Sequence, residues 1–96
     1  MKTFSVNINF ILTDEFMQSV PEHRTYINML MNTHVIESYA VSMKSQRAWI
    51  IINAASKKEV KQILSKSPLH KFWTYDIDEL FLYDSQSFRL PRMELN

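Results

Sequence analysis

No glycine occurs among the 96 residues, where average usage of about 7% would supply roughly seven. The phosphate-cradling turns of P-loop and Rossmann units need a backbone without Cβ, so both nucleotide-binding architectures are excluded. Cysteine is absent too, and with it disulfides, thiolate metal sites and cysteine nucleophiles. Eleven basic residues against ten acidic leave a net charge of +1, too little to attract nucleic acid or anionic lipid. At this length, with 46% hydrophobic residues, the expectation is one globular domain around one core. The longest uninterrupted apolar run, residues 48–52, falls far short of the roughly 20 residues of a membrane span. Met1 to Phe4 leads into alternating residues rather than an apolar signal-peptide core. A cytoplasmic location is the default expectation.

Residues 3–11 alternate Phe4, Val6, Ile8 and Phe10 with Ser5, Asn7 and Asn9, the period of a half-buried strand. Thr13, Asp14 and Glu15 supply a helix cap and an acidic first turn. Pro21 lacks a donor and crowds the preceding turn, so the sequence predicts a short turn over 14–18 and a main helix over 20–32. That helix has an apolar stripe of Tyr26, Ile27, Leu30 and Met31, with His23 on the same side. Residues 35–42 alternate again, with Val35, Glu37, Tyr39 and Val41 on one face. A polar connection over 43–47 precedes a central strand over 48–53, apolar on both faces. Ser56 and Glu59 stand at capping-box spacing before a helix over 57–66, whose inward stripe is Val60, Ile63 and Leu64. Ser67-Pro68 ends it. A last strand is predicted over 73–83, and residues 85–96 form a tail containing Phe88, Leu90, Pro91, Met93 and Leu95.

The order β-α-β-β-α-β, with right-handed crossovers, puts both helices on one face of a four-stranded antiparallel sheet, a ferredoxin-like α+β domain over 1–84. The other face carries Ser5, Asn7 and Asn9 together with large apolar residues of the third strand. An apolar patch on so small a sheet calls for a partner, and an isologous homodimer is the commonest one. The tail over 85–96 is expected to pack on that partner subunit.

With this layout the chain resembles the dimeric α+β barrel superfamily, and within it muconolactone isomerase-like proteins. The likeness covers residues 4–84. It is strongest over Ser65-Lys66-Ser67-Pro68-Leu69-His70-Lys71-Phe72-Trp73 and the acidic, hydrophobic stretch Asp76-Ile77-Asp78-Glu79-Leu80. The resemblance implies paired sheets forming a barrel, helices outside, and a homodimer or higher homo-oligomer. It also implies proton transfer in a small unsaturated lactone without metal or organic cofactor. It carries the fold and the Pro68 loop to this chain, but no catalytic residue: basic groups that would hold an acidic lactone are not evident at matching positions, and the turn Met43-Lys44-Ser45-Gln46-Arg47 has no glycine.

The residues themselves suggest a catalytic set of Glu37, His23 and Tyr39. If Tyr39 faces the helices, strand parity turns Glu37 the same way, and a carboxylate among apolar groups is raised toward the range of a general base. His23 would orient it or shuttle a proton, and Tyr39 would donate a hydrogen bond to a developing enolate. Trp73, Phe72 and His70, beside the proline-bounded loop at the sheet rim, are the candidate substrate-binding residues. No metal site is expected: His23 and His34 stand eleven apart, about 16 Å along a helix, too far to share one ion. The lysines at 57, 58, 61, 66 and 71 are balanced by Asp76, Asp78, Glu79 and Asp84, a solvated face rather than a nucleic-acid surface.

The expected function is a cofactor-independent small-molecule isomerase that moves a proton next to a carbonyl. The alternative is a non-catalytic domain, either binding a small apolar or acidic molecule or serving oligomer assembly.

Overall fold

A computed structural model describes residues 1–85. Strand β1 (Lys2–Phe10) is followed by helix α1 (Asp14–Asn32), the hairpin of β2 (Ile36–Ser42) and β3 (Arg47–Ala54), and helix α2 (Lys57–Ser65). A 3₁₀ turn (His70–Phe72) then leads into β4 (Trp73–Glu79). The sheet runs β2-β3-β1-β4, antiparallel throughout. This is the ferredoxin-like α+β arrangement expected from the alternation of periods. Among the described residues no helix is long and apolar enough to cross a membrane.

One parity of the two central strands makes the core. Phe4, Val6, Ile8 and Phe10 of β1 join Ala48, Ile50, Ile52 and Ala54 of β3. Phe16, Ile27 and Leu30 of α1 and Val60 and Leu64 of α2 close over them. Each large side chain buried there contributes about 1.5–3 kcal/mol relative to exposure. Tyr26 ties the two helices together by donating to the Ile63 carbonyl at 2.7 Å.

Both helix starts follow from local chemistry. Thr13 Oγ1 accepts the Phe16 N–H, and Ser56 Oγ accepts the Glu59 N–H while Glu59 Oε1 accepts the Ala55 N–H. Each satisfies donors that a helix start leaves open.

The expected break at Pro21 does not occur. Helix α1 runs unbroken from Asp14 to Asn32 with Pro21 inside it. Pro21 and Met17, the residue whose carbonyl loses its donor, are both exposed. Water can therefore replace the missing bond, while the buried residues Phe16, His23, Ile27 and Leu30 hold the helix on the sheet. The last strand is shorter than expected, ending at Glu79. Leu80 and Leu82, expected inside it, lie beyond that end. The part of the tail over 86–96 lies outside the described residues.

Without glycine, two ordinary residues take left-handed backbone. His34 (φ 63°) follows α1, where the Val35 N–H donates to the Leu30 carbonyl and the His34 N–H to the Met31 carbonyl. That is the six-to-one and five-to-two pattern of a Schellman end, which glycine usually fills. Gln46 (φ 54°) closes the β2–β3 turn. Its carbonyl accepts the Phe10 N–H and its side-chain oxygen accepts the Leu12 N–H, so the turn also anchors the end of β1.

The decisive irregularity is in β2. Ile36 stands opposite Ile52 but Ser38 opposite Ile51, so Glu37 is an extra residue in a β-bulge. A bulge inverts the alternation that follows it. Ile36 therefore faces the core, and Tyr39, opposite the fully buried Ile50, faces it as well. Glu37 does not share the face of Tyr39, contrary to the expectation from strict parity. Its Oε1 accepts from Asn53 Nδ2 at 2.7 Å, and Asn53 Oδ1 accepts from Thr3 Oγ1 at 2.9 Å. This polar ladder lies on the side of the sheet away from the helices.

Candidate functional site

His23 and Ser67 are the two buried polar side chains among the described residues, and they bond to each other. His23 comes from the middle of α1, on the stripe that packs against the sheet. Ser67 comes from the loop after α2, just before Pro68, which forbids continuation of that helix. Its Oγ accepts the Leu69 N–H at 3.0 Å and lies 2.7 Å from His23 Nδ1. The other ring nitrogen of His23, Nε2, is 2.7 Å from Tyr39 Oη. A helix, a loop and a bulged strand thus deliver three side chains into one line, Ser67–His23–Tyr39.

The Trp73 ring stands edge-on to His23 at 5.6 Å and fills the space behind it. Burial and the neighbouring Arg24 cation lower the His23 pKa from 6.5 to about 4, so the ring is neutral near pH 7. Burial raises the Tyr39 pKa, and Arg24 opposes that rise. The Arg24 guanidinium carbon lies 5.6 Å from the centre of the Tyr39 ring.

This line ends at a cavity of about 280 Å³ lined by Phe16, Val20, His23, Arg24, Tyr39, Val41, Met43 and Leu69. That is just below the roughly 300–1,000 Å³ of typical ligand pockets, and suits a molecule with a single ring. Five of the eight lining residues are apolar. Arg24 supplies the charge: its Nη2 donates to Asn28 Oδ1, and among the described residues it has no carboxylate in a salt bridge. No lining residue is a carboxylate. Among the described residues, no three His, Asp or Glu side chains group as metal ligands.

Of the residues singled out in the sequence, His23 and Tyr39 meet here and Glu37 does not. Trp73 touches His23 from behind. His70 contacts the far side of Trp73 at 6.1 Å and bonds through Nε2 to Tyr75 Oη at 3.0 Å. Phe72 meets Phe16 edge-on at 5.6 Å. None of these three aromatic groups lines the cavity; the loop contributes Leu69 instead. Sequence reasoning missed Arg24 and Ser67. Arg24 carried a readable signal, being a cation one residue beyond an inward histidine. Ser67 carried none beyond its place before proline.

No family model matches the sequence, and a search of curated proteins returns no match. Among solved structures the chain is similar to TftG, the 5-chloro-2-hydroxyhydroquinone dehydrochlorinase of Burkholderia phenoliruptrix AC1100, in complex with 2,5-dihydroxybenzoquinone. The identity is 10%, the TM-score 0.57, and the match covers 78% of this chain and 90% of that one. The likeness is one of fold.

Proposed function

We propose that the chain is a cofactor-independent enzyme that transfers a proton within a small, unsaturated, acidic molecule held in the Tyr39 cavity, an isomerase of the kind its muconolactone isomerase-like layout implies. The observation that carries this is the phenol of Tyr39, held by a neutral buried histidine at the wall of an apolar cavity beside a cation. Each unit of pKa mismatch costs about 1.4 kcal/mol, so His23, with a pKa of about 4, is too weak a base to take a proton from carbon. Tyr39 is the better proton carrier.

The substrate enters as an enolate or related oxyanion, its charge balanced by Arg24. The Tyr39 O–H bond breaks, a C–H bond forms on the substrate, and the negative charge passes to the phenolate beside Arg24 and His23. Water at the cavity mouth then returns a proton to Tyr39. The hydroxide left behind takes up the proton that the enol released on becoming the enolate, so the net change is enol to ketone. Delivery to carbon is downhill, because an ordinary carbon acid is weaker than a phenol. The neighbouring fold's dehydrochlorinase handles a small oxygenated ring of about this size, which favours a single-ring substrate. Purified protein should accelerate ketonisation of the enol of phenylpyruvate, a single-ring enolisable acid, and Tyr39→Phe should remove the acceleration. Equal rates in the two proteins would defeat this reading. Binding with the ligand recovered unchanged, and no deuterium taken from heavy water, would favour the ligand-binding alternative.

A second copy of the chain completes the architecture in this reading. The uncovered face carries Trp49, Ile51 and Ala40 at its centre, with Arg47 stacked on Trp49 at 5.5 Å. Trp49 is 38% exposed, and pairing two such faces would cover it.

A further inference from the structure

We infer that Ser67 is a positioning residue which holds His23 as the Nε2–H tautomer, so that the Tyr39 hydroxyl hydrogen is aimed into the cavity and the site selects ligands that accept a hydrogen bond. The inference rests on the proton-transfer reading for its purpose but on hydrogen-bond bookkeeping for its content.

A neutral imidazole has one donor and one acceptor nitrogen. Were Nδ1 the donor, Ser67 Oγ would receive both that N–H and the Leu69 N–H. The serine's own hydrogen would then have no acceptor among the described residues, although the side chain is only 6% exposed. Orphaned buried donors are costly, and no buried side-chain nitrogen or oxygen among the described residues lacks a partner. With Nδ1 as the acceptor every group is used. The Leu69 N–H donates to Ser67 Oγ, Ser67 O–H to Nδ1, and Nε2–H to Tyr39 Oη. The phenolic hydrogen is left for the cavity. Tyr39 lines the cavity, where a ligand or water can take that hydrogen. The Trp73 and Tyr39 rings pack around the imidazole, with ring centres 5.6 and 5.7 Å from its own.

The consequence is a polarity fixed from outside the cavity. Ser67 touches no ligand, yet it decides whether Tyr39 presents a hydrogen or a lone pair. Carbonyl oxygens, enolates and phenolates fit a presented hydrogen; N–H donors do not.

Nitrogen-15 histidine spectra of the unliganded protein near pH 7 test this directly. The expected pattern is protonated Nε2 and bare Nδ1 for His23 in the wild type and in Ser67→Thr, and a mixture of tautomers in Ser67→Ala. Two neutral probes supply the second readout: acetophenone, which only accepts a hydrogen bond, and indole, which only donates one. The wild type should prefer acetophenone, and Ser67→Ala should lose about tenfold of that preference, as expected for one hydrogen bond, with Ser67→Thr retaining it. A wild-type His23 protonated at Nδ1 would overturn the inference even if Ser67→Ala does not fold, and so would identical spectra and probe ratios in Ser67→Ala. Either result leaves proton transfer by Tyr39 standing. Conversely, the expected spectra with no turnover of any enolisable acid would sink the catalytic reading alone.

Discussion

His23 Nε2 and Tyr39 Oη lie 2.7 Å apart although 16 positions separate them in the chain. The contact exists because a strand that should have alternated has a bulge at Glu37, which lets Tyr39 share the core face with Ile36. That departure from a local rule makes this bond, and functional sites are where such departures are expected.

Replacing Tyr39 with Phe removes the hydroxyl and keeps the ring. Proton transfer to an enolisable acid should fall on the order of 10²–10⁴-fold, the usual worth of a positioned acid, with the circular dichroism of the fold unchanged. Stopped-flow enol absorbance checks it.

Stability should depend on pH through His23. Its pKa is about 4 in the folded protein, against 6.5 for a histidine free in water, so the unfolded chain binds the proton more readily. The contribution is fully present above pH 6.5 and is lost as pH falls toward 4, amounting to about 3 kcal/mol across the interval. Urea midpoints at pH 7, 5.5 and 4.5 should show the decline, and His23→Gln should flatten it.

Arg24→Gln should weaken binding of benzoate about tenfold at low ionic strength, the loss of one charge-assisted contact. Binding of uncharged acetophenone should change much less. The difference between the two probes should shrink as salt screens the site. Titration calorimetry at two salt concentrations distinguishes these outcomes from general damage to the cavity.

The left-handed residues are expected to differ in consequence. His34→Gly relieves backbone strain in a helix end that keeps its bonds, and should stabilise the protein by about 0.5–1 kcal/mol. Gln46→Gly relieves similar strain but deletes the acceptor for the Leu12 N–H, so its gain should be smaller or absent. Paired thermal melts provide the comparison.

Trp49→Glu places a charge at the centre of the open sheet face, where a second copy would lie. Sedimentation velocity should show a dimer for the wild type and a monomer for the variant. A wild type that stays monomeric at high concentration contradicts the paired-sheet arrangement.

Much of the fold was legible because it rests on periods. The alternation of Phe4, Val6, Ile8 and Phe10 and the capped stripe of Val60 and Leu64 each name their buried face without reference to anything distant. The candidate site was half legible. His23 declared itself by standing on an apolar stripe, and Tyr39 by following it on an inward strand. Glu37 misled, because parity is a reliable guide only until one residue is inserted into the ladder, and nothing local in Ile36-Glu37-Ser38 announces the bulge. Trp73 was found as a neighbour of the site, but on the far side of the histidine from the cavity.

Composition and periodicity, acting over a few residues at a time, determined the elements, their order and the exclusion of glycine-built nucleotide sites. Tertiary packing alone decided what those elements bring together. The burial of His23 is enforced by the whole core, and so is its neutrality. Ser67 and Tyr39 reach it from segments 44 and 16 residues away. A hydrogen bond of that kind depends on Ångström-scale placement summed over every intervening contact, and no stretch of sequence carries that sum by itself.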